Sequence, residues 1–183
     1  SDGSGGVSGA QVSFYVKQIS GGTFSSTFTN FHNATTAADG SYEHTFDAYN
    51  AVEYKLEVVA NHRFDTEEII QPDDLNRGQV NTYNFSMIPQ AWFRVNIRNT
   101  SPVDSTDLIQ YQISTSQPSC PGCCNNLVEV YPGEFVDTTF KCMTTGNANL
   151  DVSYIVTKWS IPQTYSSSVY CATGDTGVIN INY

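Results

Sequence analysis

Apolar and aromatic residues recur at alternate positions along this chain, a spacing that lets a strand bury one face. The pattern is clearest between Thr35 and Ala60, TTAADGSYEHTFDAYNAVEYKLEVVA. Tyr42, His44 and Phe46 alternate with Glu43 and Thr45, and further on Tyr54, Leu56 and Val58 alternate with Glu53, Lys55 and Glu57. Asp39-Gly40 supplies a tight turn ahead of them, because glycine tolerates positive φ and aspartate bonds its own backbone. The stretch predicts a turn, a strand, a loop over 48–50 and a second strand, a hairpin with one wet face. His44 falls on its inward face.

The same period predicts strands over 10–19, 23–31, 64–70 and 80–88, with a turn or a single helical turn at Gln71-Pro72-Asp73-Asp74. Pro89-Gln90 reads as a boundary of almost no length. Beyond it, strands are expected over 91–98, 108–114, 127–131, 134–142, 150–159, 167–172 and 178–183, with turns at Pro132-Gly133, Gly146-Asn147, Ile161-Pro162 and Thr173-Gly174. Aromatic residues make up 13% of the chain and charged ones 14%, a balance that suits strands better than amphipathic helices. The fold class is therefore all-β. Two tandem β-sandwich domains are expected, over 10–89 and 90–183, behind a flexible tether over 1–9 that opens Ser1-Asp2-Gly3-Ser4-Gly5-Gly6.

Eight Lys and Arg against 18 Asp and Glu give a net charge of −10, with no basic cluster to neutralise phosphates. Nucleic acid is excluded as a partner on that ground, and an anionic membrane surface is disfavoured. No apolar run approaches the length of a membrane span. The chain opens without an initiator methionine or a signal peptide and reads as processed.

VSGAQVSFY, TTAADGSYEHTF, EYKLEVVA and YNFSMIPQA together resemble a carboxypeptidase regulatory-like (transthyretin-like) β-sandwich. The likeness covers roughly the first half of the chain. The second half resembles an Ig-like sandwich by pattern only. In Bacteroidota this module often opens the mature chain of lipoproteins and outer-membrane proteins, and it usually acts as a non-catalytic spacer or assembly element. The resemblance implies a bacterial outer-membrane lipoprotein, anchored by an N-terminal lipid outside this sequence, on the periplasmic or cell-surface side. It would dock on a protein partner in a membrane or surface complex. Asp104-Ser105-Thr106 and Asp137-Thr138-Thr139 resemble the acceptor motif of general O-glycosylation in that lineage, which makes Ser105 and Thr138 candidate glycan sites.

All five cysteines lie between Cys120 and Cys171, and the cluster Cys120-Pro121-Gly122-Cys123-Cys124 is the most conspicuous. A redox pair would need the C-x-x-C at a helix start, and neither flank looks helical. A zinc site from Cys120, Cys123, Cys142 and Cys171 lacks its second closely spaced pair. Disulfides that staple a loop are the favoured reading, with Cys142 and Cys171 each reaching back to the 120–124 loop and one thiol left over.

The remaining constellations are weak. His32, His44 and His62 do not pair at ligand spacing, and no nucleophile elbow exists. Asp73, Asp74, Asp104 and Asp107 read as solvated turn residues rather than a calcium loop. No catalytic residue, metal or cofactor is assigned, and the chain is expected not to be an enzyme. Trp92 and Trp159 could stack sugars, which gives the alternative reading of a carbohydrate-binding or adhesion module at the cell surface.

Overall fold

The computed structural model describes residues 5–47, 50–114 and 120–183. The first four residues of the expected tether and residues 48 and 49 of the expected loop lie outside the described residues. The protein is all-β: the only helical element among the described residues is a single 3-10 turn, Pro72–Asp74. The chain divides into two compact units, Ser1–Ile88 and Pro89–Tyr183.

In the first unit, β1 (Gln11–Ser20) is the central strand. It pairs on one side with β2 (Thr23–Phe24) and β3 (Thr29–Thr35), and on the other with β4 (Ala51–Val59). Beyond β4 lies β5 (Thr66–Ile70). The alternation seen in the sequence becomes a core because register puts like against like: Val12 faces Val58, Phe14 faces Leu56 and Val16 faces Tyr54. Each such side chain contributes about 1.5–3 kcal/mol when removed from water.

Residues 42–46 and 80–88, both expected as strands, are not strands. Their burial still alternates: Tyr42, His44 and Phe46 are half-buried while Glu43 and Thr45 are exposed. Tyr83, Phe85 and Met87 repeat the pattern. The two segments lie as a cover over the sheet, with Tyr42, Phe46, Tyr83 and Phe85 packed on its apolar face, and the Tyr42 hydroxyl donates to the Tyr83 carbonyl at 3.0 Å. The expected hairpin is corrected accordingly. Its second arm, β4, forms its ladders with β1 and β5 rather than with 42–46. Periodicity reports which face is buried and not which ladder is made.

The entry to β1 is tied down. Thr36 Oγ1 donates to the Val7 carbonyl at 2.6 Å and accepts from the Ala10 amide at 2.8 Å. Gly6 lies against the Asp39-Gly40 turn so closely that a Cβ there would overlap the Asp39 backbone. The tether expected through residue 9 is therefore pinned from Gly6 onward.

The second unit is a β-sandwich-type arrangement of two sheets. The four-stranded sheet runs β11 (Ile161–Cys171), β10 (Ala148–Lys158), β7 (Leu108–Ser114), β8 (Val128–Pro132). The three-stranded sheet runs β12 (Thr176–Asn182), β6 (Gln90–Arg98), β9 (Asp137–Thr145), with β12 parallel to β6. Phe93, Val95, Ile97, Ile179 and Ile181 from one sheet share a core with Ile109, Tyr111, Ile113, Val152 and Val156 from the other. Strand β11 begins well before the expected 167, because its partner β10 pairs with it without interruption from Ala148–Cys171 to Lys158–Ile161.

Candidate docking surface

Strand β11 is the edge of its sheet, and its sequence IPQTYSSSVYC carries no charge over all 11 residues. Residues 161–166 are exposed on both faces. Toward its C-terminal end the strand becomes buried against β12, where a Cβ on Gly177 would come within 2.5 Å of Cys171 Sγ. Val156 of its partner β10 stays inside the shared core, while the first half of β11 thus lies at the rim of that core. Its core-side face carries Ile161, Gln163 and Tyr165, and Tyr165 stacks on Tyr154 of β10 with centroids 5.3 Å apart. Ile161 is 60% exposed and Tyr165 42%.

The hairpin tip is Trp159-Ser160, with φ of +50° and +62°. Two consecutive positive φ values define the turn that best matches strand twist, a turn normally made by Asn-Gly. A bulky residue in that conformation is strained, and Trp159 gains nothing from burial, being 69% exposed. The tip is therefore an aromatic side chain held outward on a strained turn. The other tryptophan differs: Trp92 is half-buried on β6, and Lys141 Nζ sits 4.3 Å above its ring. The pair Trp92 and Trp159 does not form one exposed platform.

Four cysteines are paired, Cys120 with Cys123 and Cys124 with Cys142. Cys142 reaches back to the loop as expected. Cys171 does not; it is reduced and fully buried, and burial pushes its thiol pKa up. Its position on the far side of the core, against Gly177, explains why its strand location did not translate into a bond. Backbone bonds between Met143 and the loop, Cys124 N to Met143 O at 2.8 Å and Met143 N to Gly122 O at 2.9 Å, hold the cluster along β9.

Asp107 is corrected from a solvated turn residue to the most completely buried charge in the second unit, 0% exposed. Its Oδ2 accepts from Lys158 Nζ at 2.8 Å, Asn99 Nδ2 at 2.8 Å and the Val103 amide at 2.9 Å. Desolvation pulls its pKa up, but the Lys158 ammonium and these hydrogen bonds outweigh it and hold the value at about 2. Asp104 bonds the Thr106 amide and hydroxyl, a local turn cap. Ser105 between them is exposed, whereas Thr138 lies opposite Ile97 on the core-side face of β9 and is half-buried.

Sequence spacing also missed a histidine pair. His32 of β3 and His44 stack with centroids 3.4 Å apart and planes 6° from parallel, beside Phe14. Twelve residues separate them, and only the fold of the cover over β3 brings them together. Among the described residues no group of three or more His, Cys, Asp or Glu is arranged to hold a metal ion.

Fold and surface together define an all-β, disulfide-containing protein of β-sandwich type with one uncharged sheet edge. No known family model matches the chain, and no curated protein or solved structure shows a significant match.

Proposed function

We propose that the protein is a non-enzymatic docking subunit that binds a partner protein by adding a partner strand to the free edge of β11. The observation that carries this reading is an 11-residue edge strand with no charge, no bulge in its pairing and exposed Ile161 and Tyr165. Edges of this kind are usually blunted by lysine, proline, bulges or brevity, since an open row of amides and carbonyls recruits other strands; β11 carries one such device, Pro162 beside its tip. In strand addition the backbone bonds supply affinity and alternate side chains supply specificity. The partner is a different protein rather than a second copy, because a net charge of −10 on each chain opposes self-association.

The setting we propose is a bacterial outer-membrane or surface complex, with the chain held by an N-terminal lipid. That part rests on the resemblance of the first half to carboxypeptidase regulatory-like modules. Isolation of the protein from its native membrane, with mass spectrometry of the N-terminal peptide and of what co-purifies, tests both parts. A lipidated terminal peptide with a stoichiometric protein partner is expected. An unlipidated chain that is isolated alone would contradict the proposal and bring forward the glycan-binding reading, in which the exposed Trp159 stacks on a sugar.

A further inference from the structure

Three groups meet at the end of the second unit with a geometry that an ion pair alone does not require. Asn99 follows β6, Lys158 ends β10 and Asp107 precedes β7. Lys158 Nζ lies 2.8 Å from Asn99 Oδ1 and 2.8 Å from Asp107 Oδ2. The same Oδ2 accepts from Asn99 Nδ2 at 2.8 Å. One carboxylate oxygen therefore touches both an amine and the amide nitrogen that an attack by this amine would expel. Since a carbonyl bond is about 1.23 Å long, Nζ lies no more than roughly 4 Å from the Asn99 carbonyl carbon. The Ser101 amide points at Asn99 Oδ1 from 3.3 Å, where negative charge would develop on attack.

We propose that Lys158 and Asn99 condense into an intramolecular isopeptide bond, with Asp107 as the proton carrier. The Lys158 ammonium gives one proton to Asp107 Oδ2, and the freed nitrogen lone pair forms a bond to Asn99 Cγ. The oxyanion on Oδ1 rests against the Ser101 amide. A second proton leaves Nζ, and one proton passes across Oδ2 to Nδ2. The Oδ1 electron pair re-forms the carbonyl as the Cγ–Nδ2 bond breaks with its electrons on the departing nitrogen. The released ammonia takes up the other proton from Oδ2. The sum is an ammonium and a primary amide giving a secondary amide and an ammonium ion. Nothing is oxidised or reduced, and Asp107 ends as the carboxylate it began as.

The surroundings favour the step. Asp107 is fully buried and the Lys158 side chain is 18% exposed, so little water reaches the pair to compete with the attack. The Tyr183 ring lies 4.8 Å from Nζ and shields the ammonium from water. Fixed proximity converts a sluggish aminolysis into an intramolecular one, an advantage that reaches about 10⁵–10⁸ M in effective concentration for well-oriented groups.

Intact-mass measurement of the reduced, unmodified protein tests this without any variant. The expected mass is one ammonia below that of the sequence, with trypsin unable to cut at Lys158 and a branched peptide joining the Lys158 and Asn99 segments. Asn99→Ala and Asp107→Asn are expected at their full sequence masses. A wild-type protein at its full sequence mass would overturn the proposal. So would a protein lighter by ammonia without the branched peptide, since that marks cyclisation of Asn99 on its own backbone.

Discussion

His32 and His44 stack ring on ring at 3.4 Å, although they come from a strand and from the irregular cover that lies against it. Burial, and then the charge of His32, push the His44 pKa below its ordinary 6.5. The folded state therefore binds protons less readily than the unfolded chain. Stability of the first unit is full above pH 6.5 and falls as the pH drops through that value. Thermal unfolding followed across this range should show the loss, and His44→Phe should flatten it. An unfolding midpoint that rises on acidification would run against the prediction.

The two disulfides are expected to differ in weight. Cys124–Cys142 closes a span of 18 residues and fastens the loop to β9, while Cys120–Cys123 closes only 3. Replacing both Cys124 and Cys142 by serine should cost about 2–4 kcal/mol in the second unit, and the matching change at Cys120 and Cys123 much less, because chain-entropy stabilisation grows with loop length. Denaturant unfolding of the two double variants measures the difference.

Cys171 and Gly177 form a close contact that leaves no room for a side chain. Gly177→Ala would put a Cβ 2.5 Å from Cys171 Sγ and 3.2 Å from Val169 Cγ1, so the sheet must shift to admit it. A loss of about 1–3 kcal/mol is expected, as for other overpacked cores. The native protein should also leave Cys171 unlabelled by a thiol reagent until it unfolds, since the sulfur is buried and its pKa raised.

Trp159 is expected to be a residue kept at the expense of stability. Trp159→Asn with Ser160→Gly matches the positive φ values of the turn and should stabilise the second unit by roughly 1 kcal/mol. If the tip contributes to docking, the same variant should bind the partner more weakly. Equal stability together with full binding would show that the strained tip serves neither role.

The sequence announced the strands of the second unit because Phe93, Val95 and Ile97, or Ile109, Tyr111 and Ile113, alternate without exception and all reach the core. It misplaced 42–46 and 80–88 because burial on a sheet face produces the same alternation whether or not the backbone joins a ladder. Cys124 and Cys142 were legible as partners of some kind. The status of Cys171 was not, since it depends on which side of a packed core β11 and β12 meet. Asp107 looked like an ordinary turn acid because the partners that bury it, Asn99 and Lys158, are 8 and 51 residues away. The docking edge itself was missed because Ile161-Pro162 reads as a turn: Trp159-Ser160 makes the turn instead, and proline fits inside β11 because an edge strand tolerates a residue without an amide donor.

Hydrogen exchange of the protein with and without the partner recovered from its native membrane tests strand addition most directly. The account predicts that partner binding slows exchange of amides within Ile161–Cys171, and that Ile161→Lys combined with Tyr165→Lys abolishes both the slowing and the binding while the fold persists. Protection confined to other segments, or binding untouched by the double variant, would contradict it.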